Sequence, residues 1–159
     1  MSQTEVRFEE YLKKCEMPQY LKIAVAIDHS MRSARALRRA ISLAKAFCSK
    51  LYVIHVIPTK LPFAKKAHVA PPPEIYEIQY EHAKEVLSSA SKAAKDEGIE
   101  VESVMLEGDP AEEIIRFSKE NGIDLIVVSS KEKEGTLKHL GSVSSKVVEE
   151  GKSSVLIER

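Results

Sequence analysis

The sequence has no net charge, few cysteines and no long apolar run, and each shortage removes a class of protein. Lysine and arginine number 24, aspartate and glutamate also 24, so the formal charge is zero. That excludes a nucleic-acid binder carried by bulk charge and leaves only a local basic patch as a route to such a partner. The two cysteines, Cys15 and Cys48, lie far apart and match no metal-ligand spacing. They read as reduced thiols of an intracellular protein. No apolar run approaches the roughly 18 residues that read as a membrane span. The opening "MSQTEVRFEEYLKKCE" lacks the apolar core of a signal peptide. A cytoplasmic protein without membrane or nucleic-acid partners is expected.

Motifs of catalysis are also missing. There is no G-x-x-x-x-G-K-[ST] loop, no G-x-G-x-x-G after the first apolar strand and no G-x-S-x-G elbow. The five histidines form no i, i+4 pair with a glutamate, so no structural metal is expected. His55 reads as packed or loop-facing. Cys48 falls on what reads as the buried face of a helix, an inert setting for a thiol. No nucleophile with its base can be assigned. An enzyme is therefore the weakest reading, with slow nucleotide hydrolysis as its remaining form.

What is present is an alternation of short apolar runs with amphipathic segments. The first 20 residues are charged, with Val6, Phe8, Tyr11 and Leu12 as apolar points, and read as an extension: a short amphipathic helix or loose arm closed by Pro18. The domain proper is expected over residues 21–159. "LKIAVAI", Leu21 to Ile27, and "KLYVIHVI", Lys50 to Ile57, are β-branched and nearly continuous in apolar residues, as buried parallel strands are. The helix between them is capped by Ser30 and carries Ala34, Leu37, Ala40, Ile41, Ala44, Phe47 and Cys48 at three- and four-residue spacing.

Pro58 to Pro73 holds five of the seven prolines, too many for regular structure. It is long for a connection inside a compact domain, where such segments are covers or mobile stretches. A helix resumes near Glu74 and runs to Glu97, ended by Gly98, with Tyr76, Tyr80, Ala83, Val86, Leu87, Ala90 and Ala94 toward the core. "IEVESVMLEG" partly alternates and fits an edge strand. "DPAEEIIRFSKENG" is a helix with Asp109 as cap and Pro110 at its first position. "IDLIVVSS" is a buried strand. Ser142 to Glu150 is a helix with Val143, Val147 and Val148 inward, and "SSVLIE" is the last strand. Five strands alternating with four helices make an open parallel α/β sheet with helices on both faces.

Ligands of such sheets sit outside the carboxyl ends of the strands, where strand order reverses. Three segments leave those ends with polar chemistry: Asp28-His29-Ser30, His55 to Pro58, and the loop "SSKEKEGTLKHLGS" from Ser129 to Ser142. Asp28 either accepts hydrogen bonds from a ribose or base edge, or helps Ser30 cap its helix. Gly141-Ser142, where the loop meets the last helix, is either an anion-binding helix start or an ordinary Gly and N-cap. Lys131, Lys133, Lys138 and His139 either reach a polyphosphate or form a solvated loop, with Glu132 and Glu134 offsetting their charge. Arg32, Arg35 and Arg39 read as a solvated helix face, beside Arg38.

Together, "KIAVAIDHS", "LYVIHVI", "EGDPAEEII", "GIDLIVVSS", "LGSVSSKVVEEG" and "SVLIE" resemble, in order and spacing, the universal stress protein family from Leu21 to Glu158. The resemblance implies a Rossmann-like fold of the adenine nucleotide alpha hydrolase kind, with parallel strands in order 3-2-1-4-5. It implies a homodimer formed by antiparallel pairing of the last strands, here Val155, Leu156, Ile157 and Glu158, which would cover an exposed edge. It also implies an adenine nucleotide, ATP or AMP with Mg²⁺. Matching positions place Asp28 on the ribose, the backbone of Ile27 and Val56 at the adenine, and Gly141, Ser142 and Val143 at the phosphates. Val128, Ser129 and Ser130 complete the strand end.

The family's G-x-x-G-x(9)-G-[ST] motif is kept only at its end. Counting back puts Val128 and Lys131 at the earlier glycines, and a one-residue deletion puts Ser129 and Glu132 there. Gly135 fits neither place. A side chain at these points disfavours positive φ and close approach to a phosphate. Two functions stay open: a nucleotide-responsive stress protein, and a stress protein that acts as an interaction or scaffold dimer without nucleotide.

Overall fold

The computed structural model describes residues 3–59, 72–130 and 141–159. A first helix, α1 (Gln3–Lys14), stands outside the sheet's layers, exposed from residue 7 onward. Then follow β1 (Lys22–Ala26), α2 (Met31–Phe47), β2 (Lys50–Pro58), α3 (Pro73–Asp96), β3 (Val101–Gly108), α4 (Pro110–Asn121), β4 (Leu125–Ser129), α5 (Ser142–Glu150) and β5 (Ser154–Glu158). The strands form one sheet in the order β3-β2-β1-β4-β5, parallel at every pairing. The expected fold class is thus met, and β3 is an edge strand, as its partial alternation indicated.

Two packed layers follow from the two-residue period of the strands. Ile23 and Val25 of β1, Leu51 and Val53 of β2 and Leu125 and Val127 of β4 face Ala36, Ala40, Ile41 and Ala44 of α2 and Leu87, Ala90 and Ala94 of α3. The intervening residues Ala24, Tyr52, Ile54, Ile126 and Val128 face Ala111, Ile114 and Ile115 of α4 and Val147 of α5. Burying each Ile or Leu of this kind stabilises the fold by about 1.5–3 kcal/mol. Alanines dominate the inward faces of α2 and α3, so those two helices can sit close against the β-branched sheet. Helix ends follow the sequence signals. Ser30 and Asp109 accept N–H bonds from Ser33 and Glu112, and Gly122 closes α4 at φ 62.

Several expected inward residues lie elsewhere. Ala34 and Phe47 are exposed, while Ala36, absent from the expected face, is fully buried. Cys48 is exposed too: it is the C-cap of α2 in the left-handed region at φ 54, so the helix has turned away before its side chain could reach the core. Tyr80 and Val148 are exposed, because they lie beside the narrow stripes formed by Ala83–Leu87–Ala90 and Ser144–Val147. Most of the Pro58–Pro73 segment and the lysines of the Ser129–Ser142 loop fall outside the described residues. Pro58 itself continues β2, and Pro73 opens α3.

Candidate functional site

From β1 the chain runs outward through β2 to β3, then returns to β4 on the other side of β1. The carboxyl ends of β1 and β4 therefore diverge, and helices α2 and α5 leave them on opposite faces of the sheet. A cavity of about 680 Å³ lies at this divergence.

The turn after β1 is held by a closed set of hydrogen bonds. Asp28 Oδ1 accepts the Ser30 N–H at 2.7 Å, and the Asp28 N–H donates to Ser33 Oγ at 3.1 Å. Ser33 Oγ has Asp28 O at 2.8 Å and Ser30 O at 3.1 Å, and Ser30 Oγ accepts the Ser33 N–H at 3.1 Å. Asp28 thus performs the helix-entry role while remaining on the cavity wall. One carboxylate has acceptor sites enough for both tasks.

Ile27, next in line, has its N–H donated to Ile54 O at 2.9 Å. Its carbonyl lies 2.8 Å from Nδ1 of the buried His55. Because a carbonyl only accepts, His55 carries its proton on Nδ1. What Ile27 still offers a ligand is the second lone pair of its carbonyl. The His29 ring packs edge-on against His55 and His82, at centroid distances of 5.8 and 5.1 Å. No group of three His, Cys, Asp or Glu among the described residues has metal-binding geometry.

On the far wall, β4 ends in Val128 and Ser129 and is followed by Ser130, and α5 begins after Gly141. Gly141 is the N-cap, with φ −59 and ψ 159 and no side-chain cap bond. Any residue adopts that backbone, so what glycine contributes here is the absence of a side chain. Ser144 is buried and donates from Oγ to Ser129 O at 2.9 Å, tying α5 to the strand end.

Of the residues singled out in the sequence, Ile27, Asp28, Val56, Val128, Ser129, Ser130, Gly141 and Val143 line this one cavity. Ser142 is exposed and stands outside the lining. Sequence reasoning missed Arg32, Ser33, Ile54, Pro110 and Ser144 as wall residues, while His55 and Pro58, which bound a segment it places at a strand end, line the wall as well. Ser33 and Ser144 were legible as serines three residues after Ser30 and Gly141. Arg32 was hidden by its neighbours, because an Arg32-Arg35-Arg39 stripe reads as solvated surface. Its Nη1 instead lies 3.4 Å from Ser130 O, across the cavity mouth.

Away from the cavity, Arg39 Nε donates to Glu158 Oε2 at 2.8 Å, joining α2 to the end of β5. That hydrogen bond, before the charge of the guanidinium itself, holds the Glu158 carboxyl below its ordinary range. No helix among the described residues is long and apolar enough to cross a membrane.

Comparison with known proteins bears on the same region. The model of the universal stress protein family matches residues 19–159. Universal stress protein YxiE of Bacillus subtilis is 38% identical over 146 residues, covering 87% of this chain and 98% of its own. The universal stress protein of Archaeoglobus fulgidus, solved in complex with dAMP, superposes with a TM-score of 0.68 at 27% identity, over 89% of this chain and 100% of that one. A universal stress protein solved in complex with cAMP gives a TM-score of 0.63 at 26% identity, over 89% and 98% of the two chains.

Proposed function

This chain belongs to the universal stress protein family, and on that premise we propose that it is a homodimeric stress-response protein whose cavity binds an adenine nucleotide. One observation carries the reading. Asp28 at the end of β1 and Gly141 at the start of α5, far apart in sequence, line a single hollow of about 680 Å³ at the switch point of the sheet. That volume lies within the range of small-molecule sites, and the position is where open α/β sheets take ligands.

In this reading Asp28 accepts from a ribose hydroxyl, and the base lies against Ile27 and Val56. The phosphate end lies between Ser129, Ser130, Gly141 and Val143, with Ser142 outside the lining. Relatives of the same fold hold dAMP and cAMP, which supports a mononucleotide such as AMP. ATP would require Mg²⁺ and close approach of a loop that lacks the first two motif glycines. The function is binding rather than turnover. Dimerisation would use the open edge at β5, where Val155, Leu156 and Ile157 are half-buried; antiparallel pairing with a second copy would satisfy that edge. Residues 1–20, mostly outside the family match, would form an appendage to this domain.

The missing glycines favour a second reading, an interaction dimer without nucleotide. Mass spectrometry of ligand released from purified protein, with calorimetric titration of AMP, ADP and ATP in Mg²⁺, separates the two. The expected result is binding with AMP at least as tight as ATP. No binding at millimolar nucleotide would leave the scaffold reading.

A further inference from the structure

We propose that the outer face of α2, beside the end of β5, docks a short acidic segment of a partner protein. The surface lies apart from the cavity and does not depend on what fills it.

Helix α2 carries Arg32, Arg35, Arg38, Arg39 and Lys45 and no acidic residue. A groove of about 430 Å³ lies where this helix meets the end of β5. Three uncharged residues, Met31, Ala34 and Ser42, and four charged ones, Arg35, Arg38, Arg39 and Glu158, line it. Three guanidiniums against one carboxylate leave an excess of two positive charges. The carboxylate is already engaged: Glu158 accepts from Arg39 Nε at 2.8 Å and from Arg39 Nη2 at 3.2 Å. Arg35 acts on Glu158 through its charge alone. Among the described residues neither Arg35 nor Arg38 makes a hydrogen bond or ion pair. Residues three and four apart are neighbours on a helix, so Arg35 stands next to both Arg38 and Arg39. Like charges so placed cost about 0.2–0.5 kcal/mol per pair until an anion joins them.

The size of each contact decides the kind of partner. An exposed guanidinium–carboxylate pair contributes about 0.2–1 kcal/mol, so a partner must bring several acids at once. In an extended segment, alternate side chains share a side and lie about 6.8 Å apart. Arg35 and Arg39 are displaced by about 6 Å along the helix axis. Acids at alternate positions therefore match the arginine spacing. A long polyanion such as a nucleic acid fits less well. Setting the five cations of α2 apart leaves 19 of the 24 basic residues against 24 acidic ones. That acidic excess elsewhere disfavours a long chain of phosphates, whereas a short segment meets only α2. Met31, 72% exposed, adds an apolar contact that adapts to the shape of the segment.

The test is an NMR titration of the full chain with a short peptide alternating glutamate and alanine, and with the same peptide carrying glutamine for glutamate. The glutamate peptide should shift the backbone amide signals of Met31 to Ser42 and of Glu158, more at low than at high salt. The glutamine peptide should not. Arg35→Gln and Arg38→Gln should each weaken binding by up to about fivefold, the worth of one exposed pair. Glu158→Gln should strengthen it, because Arg39 is released to the peptide. Lys119→Gln, on α4 across the sheet, should leave it unchanged. Equal binding of both peptides, shifts that miss α2, or affinity that survives the double variant of Arg35→Gln and Arg38→Gln each overturns the proposal. So does a short oligonucleotide that shifts the same amides at lower concentration than the peptide, which would make the groove a phosphate site.

Discussion

Two helices start at the cavity, and they start differently. The α2 entry is closed by its own side chains: Ser30 caps Ser33, Asp28 accepts from Ser30, and Ser33 bridges back to Asp28. The α5 entry has glycine as its N-cap, and its nearest buried hydroxyl, Ser144, is turned toward the strand rather than the helix end. One end is satisfied from within and holds a carboxylate in place. The other is kept bare of side chain, so a ligand's anion can approach its backbone. In the nucleotide reading the cavity has one stiff wall and one unfilled wall. The two walls call for different residues at equivalent positions of the sheet.

The sharpest way to break this contrast is to give α5 the kind of cap α2 has. Gly141→Asp keeps an accessible backbone conformation and adds a good N-cap residue, worth only a few tenths of a kcal/mol over glycine. It also sets a carboxylate where the phosphate would lie. Like charges about 4–5 Å apart near a surface repel by about 3–4 kcal/mol, so AMP affinity should fall by about two to three orders of magnitude with the melting temperature unchanged. Unchanged affinity in calorimetry would show that α5 does not face the anion.

Next in size is the stiff wall. Ser33→Ala removes the acceptor for the Asp28 N–H and the donor to Asp28 O, two part-buried hydrogen bonds worth about 0.5–1.5 kcal/mol each. Ser144→Ala removes one bond to Ser129 O and should cost about 1 kcal/mol. Urea denaturation of both measures the difference, and equal losses would mean that the α2 entry is no better braced than the α5 entry.

The smallest effect belongs to a contact outside both walls. Arg39 holds the Glu158 carboxyl below its ordinary value. A depressed carboxylate contributes stability that is present above the unfolded-state pKa and lost as the pH falls through the folded-state value. Glu158→Gln should therefore lower stability slightly near neutrality and leave it unaltered at pH below the folded-state value, which flattens the curve's fall on the acid side. The pair is exposed, so the change should be near the limit of detection. A large loss at neutral pH would show that the end of β5 matters more than either helix entry.

Much of this was legible in advance because it depends on local patterning. Continuous apolar runs, Ser30 and Asp109 as caps, and Gly122 past a helix end are short-range signals, and the structure meets each of them. The errors arose where a helix face had to be located to within one residue. The spacing points to Ala34 where Ala36 is the buried residue, and it carries Cys48 inward past the point where α2 ends. Alanine-rich stripes are narrow and tolerate neighbours of the same kind, so periodicity alone leaves the face uncertain by a residue or two. In the site, Asp28 and Gly141 were found from their places after apolar strands. Arg32, Ser33 and Ser144 were not, because each reads as ordinary surface or packing until its strand end is known.

By itself the sequence determined the alternation of strands and helices, the parallel sheet, the family and the two ends of the cavity. Each of these follows from hydrophobic period, cap chemistry or motif spacing within a few residues of chain. Only the tertiary structure decided that Arg32 of α2 lies by Ser130, just past β4, and that Asp28 and Gly141 share one hollow. Those are contacts between elements about a hundred residues apart. They arise from the reversal of strand order beside β1, and no local propensity encodes the distance across it.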